Sequence, residues 1–449
     1  MSSVILINPW IYDFAAYDLW SKPLGLLYIA GYLRNQNISI NIIDCMDVNH
    51  PEMKKSKTLV QPVRRAYGTG KYFRDRVTKP DALKHIKRSY FRYGITTQIF
   101  KNDLKKIKDP SAILVTSLMT YRYPGVVEAI RLAREIHPNV PVVLGGIYAR
   151  LCEDHAKKVS GADYVASDIT LETPHLLLNI LEGLKNSLKS SHAGPLFPAF
   201  DMLNKIDYVC LHTSTGCPYK CKYCASSILY PRYSRREPDE VVDEIGYWNR
   251  EYNVEDFAFY DDALLIGYEN HIGVILEKVL EKGLKLRFHT PNALHLKEIS
   301  SDLARLLYIS GFKTIRLGLE TSDINLHDIL DKKVSEGDFE RAVKNLLDAG
   351  FKKREIGAYI LMGLPGQSVD SVSRTIEFSD NVGAIPYLAE YSPLPGTELW
   401  EKAVESSDYD LMNEPLFHNN SLLPCWDEDK RKRVSELKKM VREVREKSD

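Results

Sequence analysis

Short apolar segments alternate with helical patterns along most of the chain, and this alternation limits the fold more than any other feature of the sequence. In the first part of the chain, five segments have the length and composition of buried strands: Val4–Ile7, Ile38–Ile43, Ile113–Thr116, Val142–Leu144 and Asp163–Val165. Strands that alternate with helices indicate a parallel sheet joined by crossover helices. We therefore predict an α/β, doubly wound, Rossmann-like domain over residues 1–185, with functional loops at the carboxyl ends of its strands.

The alternation resumes after a stretch rich in Lys, Ser, Gly and Pro at 184–198, which we interpret as a linker. Six further strand candidates follow, each associated with a helical pattern: Val209–Leu211, Asp256–Tyr260, Leu286–His289, Thr314–Leu317, Glu355–Ile360 and Ala384–Tyr391. Six strand–helix units are typical of a partial (β/α)6 barrel, which we place at residues 186–400. Residues 401–449 are predicted to form a short C-terminal extension, partly helical and partly irregular.

The 449 residues include 60 basic and 60 acidic side chains, so the net charge is zero. A neutral chain has no global attraction to nucleic acid, and we expect no nucleic-acid partner. Apolar runs are too short to span a bilayer and the first residues lack a basic signal region, so we expect a cytoplasmic protein without a membrane span.

A basic, Tyr-rich insertion at about 50–109 interrupts the alternation of strand and helix patterns in the first domain. It either lines an anionic site or is a solvated helical insertion.

Three of the seven cysteines lie within eight positions, in a loop directly after the first strand candidate of the second domain. An odd number of cysteines with such crowding indicates a metal centre rather than disulfides. The thiolates of Cys217, Cys221 and Cys224 can bind three irons of a cubane cluster and leave the fourth iron open. The alternative is a structural zinc site with Cys210 or His212 as the fourth ligand. The spacing disfavours it, because zinc sites usually use Cys-x2-Cys pairs.

The Cys-x3-Cys-x2-Cys spacing, with the aromatic Tyr223 before the last cysteine, resembles the signature of the radical S-adenosylmethionine superfamily. The resemblance implies a 4Fe-4S cluster whose open iron binds S-adenosylmethionine and cleaves it to a 5′-deoxyadenosyl radical. It also implies a small-molecule substrate and an external electron donor of the flavodoxin or ferredoxin type. By the same resemblance, Asn292 and Glu320 contact the ribose or methionyl group, and Tyr223 and the turn at Gly363 contact the adenine. Asp262 is a further cofactor-binding candidate; alternatively, Asp262 or Glu320 simply caps a helix.

The first domain resembles the cobalamin-binding domain that precedes the radical barrel in one subfamily. The resemblance rests on segments after predicted strands, Thr116–Tyr121 and Leu144–Tyr148 among them. It implies that Thr116, Ser117 and Thr120 bind the amide rim of the corrin, and that Gly145 and Gly146 admit the nucleotide tail. The Asp-x-His-x-x-Gly motif of other cobalamin enzymes is absent, so we expect no protein histidine on the cobalt. Alternatively, this domain is a scaffold that binds nothing or binds the substrate.

Cys425 lies in an irregular segment after the barrel, and we predict it as a catalytic thiol that donates a proton or hydrogen atom; the alternative is an ordinary packed cysteine. The predicted function is methylation of an unactivated carbon in a small or natural-product-like substrate by a cobalamin-dependent radical enzyme. Three alternatives stay open: radical cyclisation or skeletal rearrangement, a radical enzyme without cobalamin, and a zinc- or cluster-bearing binding protein without catalysis.

Overall fold

The computed structural model describes residues 3–56, 59–168 and 197–448. These residues form two compact units: one contains the described residues up to 207 together with 413–416, and the other contains 208–412 together with the described residues from 417 onward. The boundary expected at 185 and 186, and most of the linker expected at 184–198, lie outside the described residues. Among the described residues, no helix has the length and apolar character needed to cross a bilayer.

The first unit is built on a parallel sheet. Its strands are β1 (Ser3–Asn8), β2 (Ile11–Asp13), β3 (Ser39–Asp44), β4 (Arg74–Val77), β5 (Tyr90–Tyr93), β6 (Pro110–Val115), β7 (Val142–Leu144) and β8 (Tyr164–Val165). The parallel sheet has the order β3-β1-β6-β7-β8. Strand β1 is buried along its whole length, with Val4 and Leu6 in one apolar cluster and Ile5 and Ile7 in another. Apolar layers on both faces make the sheet doubly wound, which confirms the predicted fold class.

The helices of this unit are Leu24–Asn35, Pro51–Lys55, Thr97–Lys106, Tyr123–Ile136, Ile147–Leu151 and Glu153–Val159. Among the described residues of the basic insertion, α-helices lie only at its two ends, and its middle has short 3-10 helices at Ala66–Gly68 and Asp81–Leu83. Between the two α-helices, β5 pairs with both β2 and β4 in an antiparallel sheet of order β2-β5-β4. Of the two alternatives, a solvated helical insertion is therefore wrong for this middle part, where β-prone aromatic residues such as Tyr90 and Tyr93 are buried.

The second unit has a six-stranded parallel sheet of order β16-β15-β14-β13-β12-β9, so neighbours in the sheet follow one another in this order along the chain. The six strands are β9 (Val209–Leu211), β12 (Asp256–Phe259), β13 (Arg287–His289), β14 (Phe312–Glu320), β15 (Ile356–Met362) and β16 (Ile385–Glu390). A separate antiparallel pair, β10 (Ser214–Thr215) and β11 (Ser234–Arg235), flanks the cysteine loop. The six-stranded sheet is the predicted partial barrel. The carboxyl ends of its strands meet at one edge, where the cysteine loop also begins.

The helices of the second unit are Ser226–Leu229, Pro238–Tyr252, Ile272–Glu281, Ser301–Ile309, Ile324–Leu330, Asp338–Ala349, Val369–Val382, Trp400–Ser406 and Glu428–Glu446. The last helix packs on the edge strand β16, and its Lys438 forms an ion pair with Glu390 at 2.9 Å. The charged C-terminal segment is thus helical, as its sequence predicts, and it covers one edge of the sheet.

Candidate functional site

The chain leading into the cysteine loop is anchored by a buried carboxylate, Asp261, which follows strand β12. Its Oδ1 accepts the backbone N–H of Thr213 at 3.0 Å and the hydroxyl groups of Thr213 and Ser214 at 2.7 Å. The backbone N–H of Ser214 donates to the same oxygen. Charge-assisted hydrogen bonds are stronger than neutral ones, so Asp261 fixes the direction in which the loop leaves the sheet. The sequence had indicated its neighbour, Asp262, instead.

Gly216 begins the loop with a φ angle of +73°, in the left-handed region. A Cβ atom at this position would lie 2.5 Å from the carbonyl oxygen of Arg232, so both conformation and space require glycine. The three cysteines that follow form no disulfide; Cys217 and Cys221 are half-buried, and Cys224 is exposed.

Burial raises the pKa of Cys217 and of Cys221 to about 11. Desolvation of the sulfur also raises the pKa of Cys224. The thiols are close enough to affect one another, because an ionised Cys221 raises the pKa of Cys217, Cys224 raises that of Cys221, and Cys217 raises that of Cys224. Binding a cluster requires thiolates, so it must release the protons that burial favours on these sulfurs.

A buried ion pair lies beside the thiols. Lys333 Nζ is 2.7 Å from Glu320 Oε1 and donates to the hydroxyl of Tyr223 at 3.1 Å. That hydroxyl donates in turn to Asp331 Oδ2 at 3.4 Å. Burial alone would lower the pKa of Lys333, but the negative charges of Glu320, Cys221 and Asp331 outweigh it and raise that pKa. Lys333 is thus a permanent cation next to the cysteine loop, and it also lowers the pKa of Cys221.

The sequence did not indicate Lys333, because a lysine after a short helix forms part of no recognised motif. Glu320, which the sequence did indicate, has a φ angle of +60°, a conformation that non-glycine residues rarely adopt. Strand β14 ends at this residue, and the Glu320 side chain forms its ion pair with Lys333 there. The structure therefore brings Tyr223, Glu320 and the cysteines together around one buried cation.

The described residues of this loop do not form a tetrahedral zinc site. Cys210 is fully buried within strand β9, and His212 Nδ1 faces the carbonyl oxygen of Ser214 at 3.1 Å. Throughout the described ranges, no three His, Cys, Asp or Glu side chains are gathered closely enough to hold a single metal ion. A cubane cluster is much larger than one ion and binds each thiolate at a different corner, so more widely spaced thiols fit it.

Two further candidates lie on neighbouring strands of the same edge. Asn292, after β13, donates its side-chain amide to the carbonyl oxygens of Tyr260 at 2.8 Å and Asp261 at 3.3 Å. Asp262 accepts the hydroxyl of Ser226, at the start of the helix after the cysteines, and burial raises the pKa of Asp262. Both side chains hold the loops of the edge together, and the oxygen of the Asn292 amide still has acceptor capacity.

Gly363, after β15, has a φ angle of +98°. Its N–H and that of Leu364 both donate to Gln367 Oε1, at 2.9 and 3.2 Å, so Gln367 shapes the turn that the resemblance assigns to adenine. Cys425 is buried in an apolar cluster that includes Leu364, and its Sγ faces the carbonyl oxygen of Ala403 at 3.9 Å. Burial raises the pKa of Cys425 to about 11. This packing is that of an ordinary core cysteine, and a catalytic role for Cys425 stays a prediction.

In the first unit, the candidate residues lie in the loops after β6 and β7. Ser117 Oγ donates to the carbonyl oxygen of Gly145 at 2.6 Å, which ties the two loops together. Ser117 and Thr120 are buried, whereas Thr116 is half-buried. Between them, Leu118 and Met119 are 43% and 45% exposed. The surface of this loop is thus more apolar than the sequence analysis assumed, a property that suits the large face of a corrin ring.

The two glycines after β7 have different surroundings. A Cβ atom at Gly146, whose φ angle is +95°, would lie 2.2 Å from the carbonyl oxygen of Ser117. The group that lies closest to Gly146 is therefore the protein's own backbone at Ser117. A Cβ atom at Gly145 would have its nearest neighbour at 3.9 Å, an ordinary contact. Gly145 is consequently the glycine of the pair that leaves space beside the loops.

His155 lies in the helix Glu153–Val159, which follows these loops along the chain. Its Nδ1 is 2.7 Å from the hydroxyl of Tyr148, and its ring lies edge-on to Tyr123 with centroids 4.7 Å apart. Burial lowers the pKa of His155. One ring nitrogen is thus engaged within the unit, and the ring is fixed by packing.

Two family models match the chain. The Radical SAM superfamily model matches residues 211–379, from the end of β9 into the helix Val369–Val382. The B12 binding domain model matches residues 103–172, which include the loops after β6 and β7. Together the two matches cover more than half of the chain.

Curated relatives are distant but extensive. An uncharacterized methyltransferase of Pyrococcus horikoshii is 22% identical over 71% of this chain and 76% of the relative. The cytidylyl-2-hydroxyethylphosphonate methyltransferase of Streptomyces wedmorensis is 21% identical over 91% of this chain and 82% of the relative. The anaerobic magnesium-protoporphyrin IX monomethyl ester cyclase of Cereibacter sphaeroides is 21% identical over 67% of this chain and 55% of the relative.

Solved structures share the fold. The radical S-adenosylmethionine methyltransferase TsrM from Kitasatospora setae, with tryptophan and a SAM analogue bound, has a TM-score of 0.65 and 14% identity over 96% of this chain and 84% of that chain. The enzyme OxsB, with aqua-cobalamin and S-adenosylmethionine bound, has a TM-score of 0.56 and 14% identity over 93% of this chain and 57% of that chain.

Proposed function

Because this chain belongs to the radical S-adenosylmethionine enzymes that contain a B12-binding domain, we propose that it is a cobalamin-dependent enzyme that methylates an unactivated carbon of a small molecule. The cofactors of this family are a 4Fe-4S cluster, S-adenosylmethionine and cobalamin. When bound, the cluster supplies the electron that cleaves S-adenosylmethionine to a 5′-deoxyadenosyl radical, and cobalamin supplies the methyl group. An external protein of the flavodoxin or ferredoxin type provides the electron.

The observation that carries this proposal is the Lys333–Glu320 ion pair beside three neighbouring thiols. The methionyl end of S-adenosylmethionine is a zwitterion, with a carboxylate and an ammonium group. Lys333 is complementary in charge to the carboxylate, and Glu320 to the ammonium group. Each residue can therefore exchange its partner in the ion pair for the oppositely charged group of the ligand. Tyr223, which accepts a hydrogen bond from Lys333, and the turn at Gly363 are proposed as the adenine-side contacts.

S-adenosylmethionine chemistry can be measured without knowing the final substrate. Anaerobically reconstituted protein with cobalamin, S-adenosylmethionine and a reductant is expected to release 5′-deoxyadenosine, from radical cleavage, and S-adenosylhomocysteine, from methylation of the reduced cobalamin. The same protein without cobalamin is expected to release only 5′-deoxyadenosine. Liquid chromatography with mass spectrometry distinguishes the two nucleosides. A reduced cluster that releases neither product would contradict the proposal.

Radical cyclisation or rearrangement is the second candidate, because the cyclase of Cereibacter sphaeroides is among the relatives. A cyclase consumes no methyl donor. It would therefore release 5′-deoxyadenosine but no S-adenosylhomocysteine, even with cobalamin bound, and the same assay separates the two reactions.

The proposed cobalamin site is tested at Gly145. We expect Gly145→Leu to lose the corrin absorbance of protein purified from cobalamin-supplied cells, because the side chain fills the open space beside the loops. Its iron content and unfolding temperature should match those of the wild type. Gly146→Leu is the contrasting variant: its side chain collides with Ser117, and we expect destabilisation of the first unit. Wild-type corrin retention in Gly145→Leu would place the cofactor elsewhere.

A further inference from the structure

His295 is a polar side chain at the cysteine loop that the proposed function leaves without a role. It follows strand β13, and its Nε2 is 4.0 Å from Sγ of Cys217. Its ring is stacked on Tyr219, within the loop, with centroids 4.8 Å apart and an interplanar angle of 17°. The stacking holds the imidazole in one orientation, with one ring nitrogen directed at the sulfur.

The position of the proton on this ring follows from the nitrogen that faces Cys217. His295 Nδ1 is buried and has no hydrogen-bond partner among the described residues, so it does not select the tautomer. A cysteine sulfur that binds iron is a thiolate, which carries no proton and can only accept a hydrogen bond. Beside such a sulfur, the proton of the neutral ring therefore lies on Nε2.

We propose that His295 donates a hydrogen bond from Nε2 to the thiolate of Cys217 and thereby raises the reduction potential of the cluster that this thiolate holds. The inference rests on the proposed function, because it requires the cluster. A hydrogen bond to a ligand sulfur withdraws electron density and stabilises the reduced state, which carries one more negative charge. His295 is a positioning residue in this account, since it acts through Cys217 and touches no reacting atom.

The test compares His295→Phe, which keeps an aromatic ring against Tyr219 but has no donor, with His295→Gln, which keeps a donor. Reconstituted proteins are titrated with a reductant and the reduced cluster is measured by electron paramagnetic resonance, without substrate. At equal potential, we expect the ratio of reduced to oxidised cluster in His295→Phe to fall about tenfold, which corresponds to ~59 mV for one electron. His295→Gln should lie closer to the wild type, and His295→Leu replaces the Phe variant if that variant loads less iron.

Iron content, measured on every sample, separates the possible failures. Wild-type ratios in fully loaded His295→Phe and His295→Gln would overturn the inference and leave the proposed function intact. Equal losses in both variants would also overturn it, because they would show that packing of the ring, not its hydrogen bond, is responsible. A wild-type protein that holds no cluster would overturn the proposed function and this inference with it.

Discussion

Replacing Cys221 by alanine is expected to reduce the iron content of anaerobically reconstituted protein from about four irons per chain to almost none. The cubane has only three protein ligands in this loop, and two thiolates cannot retain it when the fourth corner is already without a protein ligand. The visible absorbance of the cluster should disappear with the iron. Colorimetric iron determination and the absorbance spectrum measure both effects.

The matched control is Cys152→Ala. Cys152 is a half-buried thiol in the first unit, between the helices Ile147–Leu151 and Glu153–Val159, and forms no disulfide. This variant should retain the iron content of the wild type. Full iron loading of Cys221→Ala, or equal loss in both variants, would refute the assignment of the cluster to the loop.

Replacing Lys333 by methionine is expected to have the second largest effect, on stability and on S-adenosylmethionine binding together. Lys333 and Glu320 are both nearly fully buried, so the variant leaves the Glu320 carboxylate buried without its cation. Breaking a buried ion pair in this way typically costs about 3–5 kcal/mol of unfolding free energy. Loss of a charge-assisted contact should also weaken S-adenosylmethionine binding by roughly tenfold to a hundredfold.

Two further variants make this prediction specific. Adding Glu320→Gln to Lys333→Met removes the orphaned charge, so the double variant should be more stable than the sum of the single changes implies, with a coupling of about 2 kcal/mol. Its S-adenosylmethionine affinity should nevertheless stay low, because both ligand contacts are gone. Lys332→Met, at the exposed neighbouring lysine, is the control and should match the wild type in both measurements.

Denaturant unfolding followed by circular dichroism gives the free energies, and equilibrium dialysis of S-adenosylmethionine against iron-loaded protein gives the affinities. An S-adenosylmethionine affinity in Lys333→Met equal to that of the wild type would show that the ion pair serves the fold alone. A loss of iron in this variant would show that the cation holds the cluster rather than the ligand.

Patterns that repeat over short distances were sufficient to predict much of the molecule. The apolar strand segments and the helical repeats between them identified both parallel sheets, because burial of a strand or of a helix face depends on residues only a few positions apart. The cysteine loop was equally local, since three cysteines within eight positions follow one strand whatever the rest of the chain does. The basic insertion is the exception, because its strand β5 pairs with the distant β2 and its strands have no regular spacing between them.

The contacts inside the site depend on residues that the sequence separates. Lys333 reaches Tyr223 across 110 positions, and His295 reaches Cys217 across 78. Such pairs form because parallel strands bring their carboxyl ends to one edge, and no periodicity in the chain records which side chains meet there.

The sequence also did not indicate in which direction each residue of a loop points. Asp261 points toward the buried chain at Ser214 while Asp262 meets Ser226, and Gly146 packs against backbone while Gly145 does not. Neighbouring residues of the same type differ in this way because each backbone angle sends its side chain to a different part of the packed structure. The sequence therefore determined the two folds and the position of the cysteine loop. Only the tertiary structure decided which cation, which carboxylate and which histidine surround that loop, because these partners are selected by packing across the sheet edge.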